Sequence, residues 1–71
     1  MNNTLEIRIG LMPGKLSTII VEKGTSAKRC FEIAGIELSN HEIRLDGEKI
    51  DPDKGIENGS LLCGMKLIKG N

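Results

Sequence analysis

The chain has 71 residues, 38% of them hydrophobic, and its ten Lys and Arg cancel its ten Asp and Glu to a formal net charge of zero. A chain this short is expected to be one domain, residues 1–71. It buries only about 60% of the surface its unfolded form exposes, so its core is thin. Neutrality excludes a strong pull toward nucleic acid or an anionic membrane, and a single aromatic residue, Phe31, offers no platform on which bases could stack.

The segment LEIRIGL (5–11) alternates, with Leu5, Ile7, Ile9 and Leu11 on one face and Glu6 and Arg8 on the other. A period of two predicts a half-buried strand. Pro13-Gly14 is a turn pair. LSTIIVE (16–22) is rich in β-branched residues, so residues 5–22 predict a hairpin. In GTSAKRCFEIAG (24–35) the period lengthens. Thr25 or Ser26 can cap a helix by accepting from the free N–H groups of its first turn. Ala27, Cys30, Phe31 and Ala34 then form an apolar stripe, with Lys28, Arg29 and Glu32 outside it. Gly35 can take the left-handed conformation that ends the helix, with Ile36 packing back as its apolar closure.

HEIRLDGEKI (41–50) predicts a short strand with Ile43 and Leu45 inward, a two-residue turn at Asp46-Gly47, and a return through Ile50. DPDKGIENG (51–59) reads as loop or a single helical turn. SLLCGMKLI (60–68) is the last strand. Gly64 inside it is expected to mark a bulge, which would pass the inward face from Leu62 to Met65 and Leu67; the spacing leaves the buried face of this strand open. One helix covers one face of a sheet, so the class is α+β, and the apolar last strand is expected to lie centrally.

Several patterns suggest chemistry and fail on spacing. GLMPGK has three residues between its glycines where a phosphate loop has four, and Leu16 follows the lysine where a Ser or Thr is needed. The acids Asp46, Glu48, Asp51 and Asp53 are interrupted by Pro52 and lack the calcium-loop order of oxygen ligands. His41 has no second histidine, and Cys30 and Cys63 lack Cys-x-x-Cys spacing, so no metal site is expected. Cys30 falls on the helix's apolar stripe, where a thiol is inert. Both cysteines read as core thiols in a reducing, cytoplasmic setting, and His41 as a surface residue. No base, nucleophile or cofactor motif emerges, so neither an enzyme nor a cofactor is expected.

The opening hairpin LEIRIGLMPGKLSTIIVE, the single helix, RLDGEKI, and GIENGSLLCGMKLIKG together resemble the β-grasp, or ubiquitin-like, superfamily. The resemblance covers nearly the whole chain and implies a mixed sheet of four to five strands wrapped on the helix, with the first and last strands adjacent and parallel. RLDGEKI and the final segment are similar to the small sulfur-carrier branch. That branch opens its last strand with Gly-Asp and ends in Gly-Gly, where this chain has Gly59-Ser60 and Gly70-Asn71. Sulfur carriers are adenylated at the terminal glycine carboxylate by an activating enzyme. By that resemblance the tail residues would be Lys69 and Gly70, with Gly70 exposed by removal of Asn71. GIENGSLL also looks like bacterial ubiquitin-like proteins without a reactive tail.

If Ile19 and Val21 face the core, Leu16 and Ile20 face outward, and Ile68 lies near them. Such a cluster can bind another protein. The second strand, at a sheet edge, could accept a further strand, and Lys15 and Lys23 at its ends could equally protect it. Two readings therefore stand: a non-enzymatic ubiquitin-like interaction module acting through sheet face or edge, and a carrier or modifier acting through Gly70.

Overall fold

In the computed structural model, which describes residues 3–67, the predicted hairpin consists of β1 (Thr4–Met12) and β2 (Leu16–Glu22). Ile7 pairs with Ile19 and Leu5 with Val21, so the apolar positions of both strands share one face. The chain then passes through β3 (Thr25–Ser26) into the helix α1 (Ala27–Ala34). Ser26 is the N-cap: its hydroxyl accepts from the Arg29 N–H at 3.1 Å, while Thr25 turns back and donates to the Glu22 carbonyl. At the other end Gly35 has φ 74°. Its N–H donates to the Glu32 carbonyl and that of Ile36 to the Phe31 carbonyl, the paired closure that a left-handed residue permits.

β4 (His41–Leu45) and β5 (Glu48–Ile50) form the second hairpin, joined by Asp46 and Gly47 at φ 50° and 91°. Two successive positive φ values match the right-handed twist of the strands, and Asp-Gly supplies them at low cost. The stretch expected to be loop contains β6 (Gly55–Ile56), which pairs with β3 in a separate two-stranded sheet and brings Ile56 into the core. β7 (Leu61–Lys66) completes the main sheet, whose order is β2-β1-β7-β4-β5, and β7 lies parallel to β1 and antiparallel to β4.

The expected bulge at Gly64 is absent. The pairing runs without interruption from Arg8–Leu61 to Met12–Met65 on one side and from Leu45–Leu62 to His41–Lys66 on the other. Gly64 therefore stays on the inner face with Leu62, and Met65 points outward, opposite to the expected switch. The reason for glycine is space: a Cβ there would lie 2.7 Å from Leu11 Cδ2 and 3.3 Å from Leu38 Cδ2. His41 shares this inner side and is half-buried at the start of β4, with its Nδ1 2.6 Å from the Ser39 carbonyl oxygen.

The core lies between α1 and the inner sheet face. Phe31, Ile7, Ile9, Ile56, Leu62 and Cys30 are its largest fully buried side chains. Each large apolar side chain so placed stabilises by roughly 1.5–3 kcal/mol relative to exposure. Leu11, Ile36, Leu38 and Leu45 close its margin. Cys30 belongs to this cluster; Cys63, expected there too, is buried on the opposite face.

Candidate functional site: the open sheet face

Among the described residues no other element covers the face of the sheet away from α1, and the register sets its surface in rows. One row runs Leu16, Gly10, Cys63, Arg44, Lys49 across all five strands. A second runs Met12, Met65, Glu42, and a third Thr18, Arg8, Leu61. Ile20 stands at the end of β2 opposite Glu6.

Two parts differ in chemistry. Toward β2 and β7 exposed apolar side chains dominate one end: Leu16 is 39% and Met65 37% exposed, with half-buried Met12 between them, while Ile20, 67% exposed, is set apart by Thr18, Arg8 and Glu6. Leu67, just past β7, adds a further exposed side chain. Toward β4 and β5 the surface is ionic. Arg44 Nη2 lies 2.6 Å and Nε 2.7 Å from Glu42 Oε2, and Lys49 Nζ is 3.9 Å from Glu42 Oε1. Arg44 also donates to the Gly47 carbonyl, which ties this ionic group to the β4–β5 turn.

Gly10 shapes the boundary between Leu16 and Cys63. A Cβ at Gly10 would sit 2.3 Å from the Lys15 carbonyl oxygen and 3.0 Å from Leu16 Cδ2. Leu16 therefore folds down over the glycine, whereas Ile20, facing Glu6, stands clear. The face is thus low where Leu16 covers Gly10 and raised at Ile20, with Thr18 between Leu16 and Ile20 on the same strand.

Neither thiol is prepared for nucleophilic chemistry. Burial pushes the Cys63 thiol above its ordinary value, partly offset by the Arg44 charge, and burial alone raises Cys30. Both are free cysteines and stay protonated at neutral pH. Among the described residues, no three His, Cys, Asp or Glu lie close enough to hold a metal ion. No helix among them is long and apolar enough to cross a membrane. A depression of about 330 Å³ opens beside β4 and β5, floored by Leu38, Ile43, Ile50 and Pro52 and rimmed by Lys28, His41, Glu42, Lys49 and Asp51.

Asp46 has a distinct role. Its carboxylate accepts from the Leu61 N–H at 3.0 Å and from the Ser60 N–H and hydroxyl at 3.2 Å, while its own N–H donates to the Leu61 carbonyl. The backbone bonds from Leu61 and Ser60 hold its carboxyl below the usual range. The same side chain that turns the β4–β5 hairpin therefore clamps the entry of β7.

Of the residues expected to bind a partner, Leu16 and Ile20 are on the open face as predicted, while Ile68 lies outside the described residues, as do Lys69 and Gly70 of the tail reading. Met65, Met12 and Leu61 belong to the apolar part and were not foreseen. For Met65 and Leu61 the signal is the register of β7 with β1, which is invisible in a single segment's alternation, whereas Met12 falls on the outer phase of β1 itself.

The chain has a ubiquitin-like β-grasp fold: a mixed five-stranded sheet with parallel first and last strands packed on one helix. It is similar to a de novo designed protein based on ubiquitin, with a TM-score of 0.67 at 20% identity, covering 87% of each chain. No protein family and no curated protein sequence matches it.

Proposed function

We propose that this is a non-catalytic ubiquitin-like interaction module that binds another protein through the open face of its sheet. The observation that supports this most is the apolar stretch from Leu16 past Met12 to Met65 on one face, with Ile20 exposed farther along β2 and Glu42, Arg44 and Lys49 on the β4–β5 side. An apolar centre with a charged border is the common anatomy of protein interfaces. Methionine at positions 12 and 65 adapts to the shape of a partner's apolar side chain. The protonated thiols favour binding over chemistry.

The test is site-specific photo-crosslinking in the native cell, with the reactive group at Thr18 on the open face or at Lys54 away from it. A discrete adduct with a protein other than a second copy of this chain is expected from position 18 alone, lost in Met65→Asp and kept after deletion of Gly70 and Asn71. An adduct that survives Met65→Asp but needs Gly70 would replace this reading with the tail-directed one.

A further inference from the structure

β2 ends the sheet, and the polarity of its free edge can be worked out. The Lys23 N–H donates to the Asn3 carbonyl at 2.7 Å, and these residues extend the β1–β2 register by one step. In an antiparallel ladder hydrogen-bonded pairs alternate with non-bonded pairs. Val21, Ile19 and Ser17 therefore turn their N–H and C=O groups toward β1, while Leu16, Thr18, Ile20 and Glu22 turn theirs outward. Arg8, opposite Thr18, agrees: its N–H goes the other way, to the Ser60 carbonyl on the β7 side. The four outward-bonding residues are also the ones whose side chains stand on the open face.

The middle of this edge lacks the usual protections. It runs unbroken for seven residues with no proline or bulge, and the six from Leu16 to Val21 carry no charge, which leaves Lys15, Glu22 and Lys23 at its ends. The other edge, β5, has three residues, of which Glu48 and Lys49 are charged.

We propose that β2 is a self-association strand: a second copy of this chain adds antiparallel to it about a two-fold axis through Thr18. Two identical strands whose open faces stay on the same side can pair only in registers that match like-facing residues. Centred on Ile19, the pairing would set Lys15 against Lys23 of the second copy twice over, and Leu16 against Glu22; like charges directly opposite destabilise. Centred on Ser17, it would leave most of β2 unpaired. Centred on Thr18, it sets Leu16 against Ile20 of the second copy on the open face, Thr18 against Thr18, and Lys15 against Val21. Every outward N–H and C=O from Leu16 to Ile20 then finds a partner. The two exposed aliphatic side chains of β2 thereby cover each other, and the two sheets become one of ten strands.

The contact is narrow, so the dimer is weak, with a Kd in roughly the micromolar to millimolar range. Sedimentation velocity and amide spectra from about 10 µM to about 1 mM are expected to show a rising dimer fraction, with shifts confined to residues 16–22. Thr18→Pro removes the two N–H donors at the axis while sparing the β1 ladder, since proline is tolerated on an outward edge position. It should weaken the dimer by about 10-fold or more with an unchanged circular dichroism spectrum. Thr18→Cys should oxidise to a disulfide-linked dimer, because facing residues in a bonded pair lie about 5.5 Å apart, within disulfide reach. Ile20→Cys, facing Leu16, should not. A protein that stays monomeric throughout overturns the proposal, as does a dimer indifferent to Thr18→Pro or with shifts centred on Leu61 and Met65. Shifts along β2 that arise only with an added extended peptide would assign the edge to another chain. Met65→Asp leaves the dimer intact, which separates this inference from binding by the face.

Discussion

The two faces of the sheet use the same kinds of residue for opposite ends. On the inner face Ile7, Ile9 and Leu62 disappear beneath α1. On the outer face Leu16, Ile20 and Met65 remain in contact with water although nothing in the domain's stability requires them there. A glycine sits in each face, and the comparison between them is instructive. Gly64 is surrounded by the tips of Leu11 and Leu38, which can shift, whereas Gly10 is pressed by the Lys15 carbonyl, part of the backbone. The face that is packed tolerates more at its glycine than the face that is open.

Mutations can break or sharpen this contrast. The largest effect is expected inside: Phe31→Ala should cost about 3–5 kcal/mol, a large share of the stability of so small a domain, as measured by urea unfolding. Next come the glycines, where Gly10→Ala should destabilise more than Gly64→Ala, the latter costing roughly 1–3 kcal/mol; the reverse order in the same urea titration would mean that the hairpin backbone yields more readily than the core. A smaller, pH-dependent effect belongs to Asp46. Its carboxyl pKa is depressed in the folded state, so its contribution is present above about pH 4 and lost as pH falls below that. Asp46→Asn should flatten the acid limb of the stability profile, with little change at higher pH beyond a constant offset. The smallest effect on stability lies outside: Met65→Asp and Ile20→Asp should each stay within about 0.5 kcal/mol of the parent. The same two substitutions should abolish partner capture, and a binding assay beside the melting curve would show whether the faces have separate roles.

Much of this fold was legible in the residues. The alternation of Leu5, Ile7, Ile9 and Leu11 survives intact as β1, and Ser26 and Gly35 delimit the helix as their chemistry predicts. Asp46-Gly47 forms the expected turn. What escaped is whatever depends on a neighbour distant in sequence. Thr25-Ser26 and Gly55-Ile56 are too short to show a period, and only their pairing makes them strands. Gly64 was misread because a glycine inside a strand signals either a bulge or a close approach, and only Leu11 and Leu38 decide between the two. Leu16 and Ile20 could be assigned to the outer face from β2 alone. Met65 could not, since its orientation follows from an unbroken ladder with β1 and β4.

The central position of β7 has a consequence for how the molecule comes into being. β1 and β4 are joined in the sheet through β7, yet β7 comes after both in the chain, far beyond β1. A nascent chain emerging from the ribosome carries two separate hairpins, each marginal alone in water, until residues 61–66 arrive to join them. The sheet then closes in one late step whose contacts are almost all long in sequence, the topology associated with slower folding. Until that moment the apolar edge of β2 is on display beside those of neighbouring chains, so this protein's passage through synthesis is the interval in which strand exchange competes most directly with its own fold.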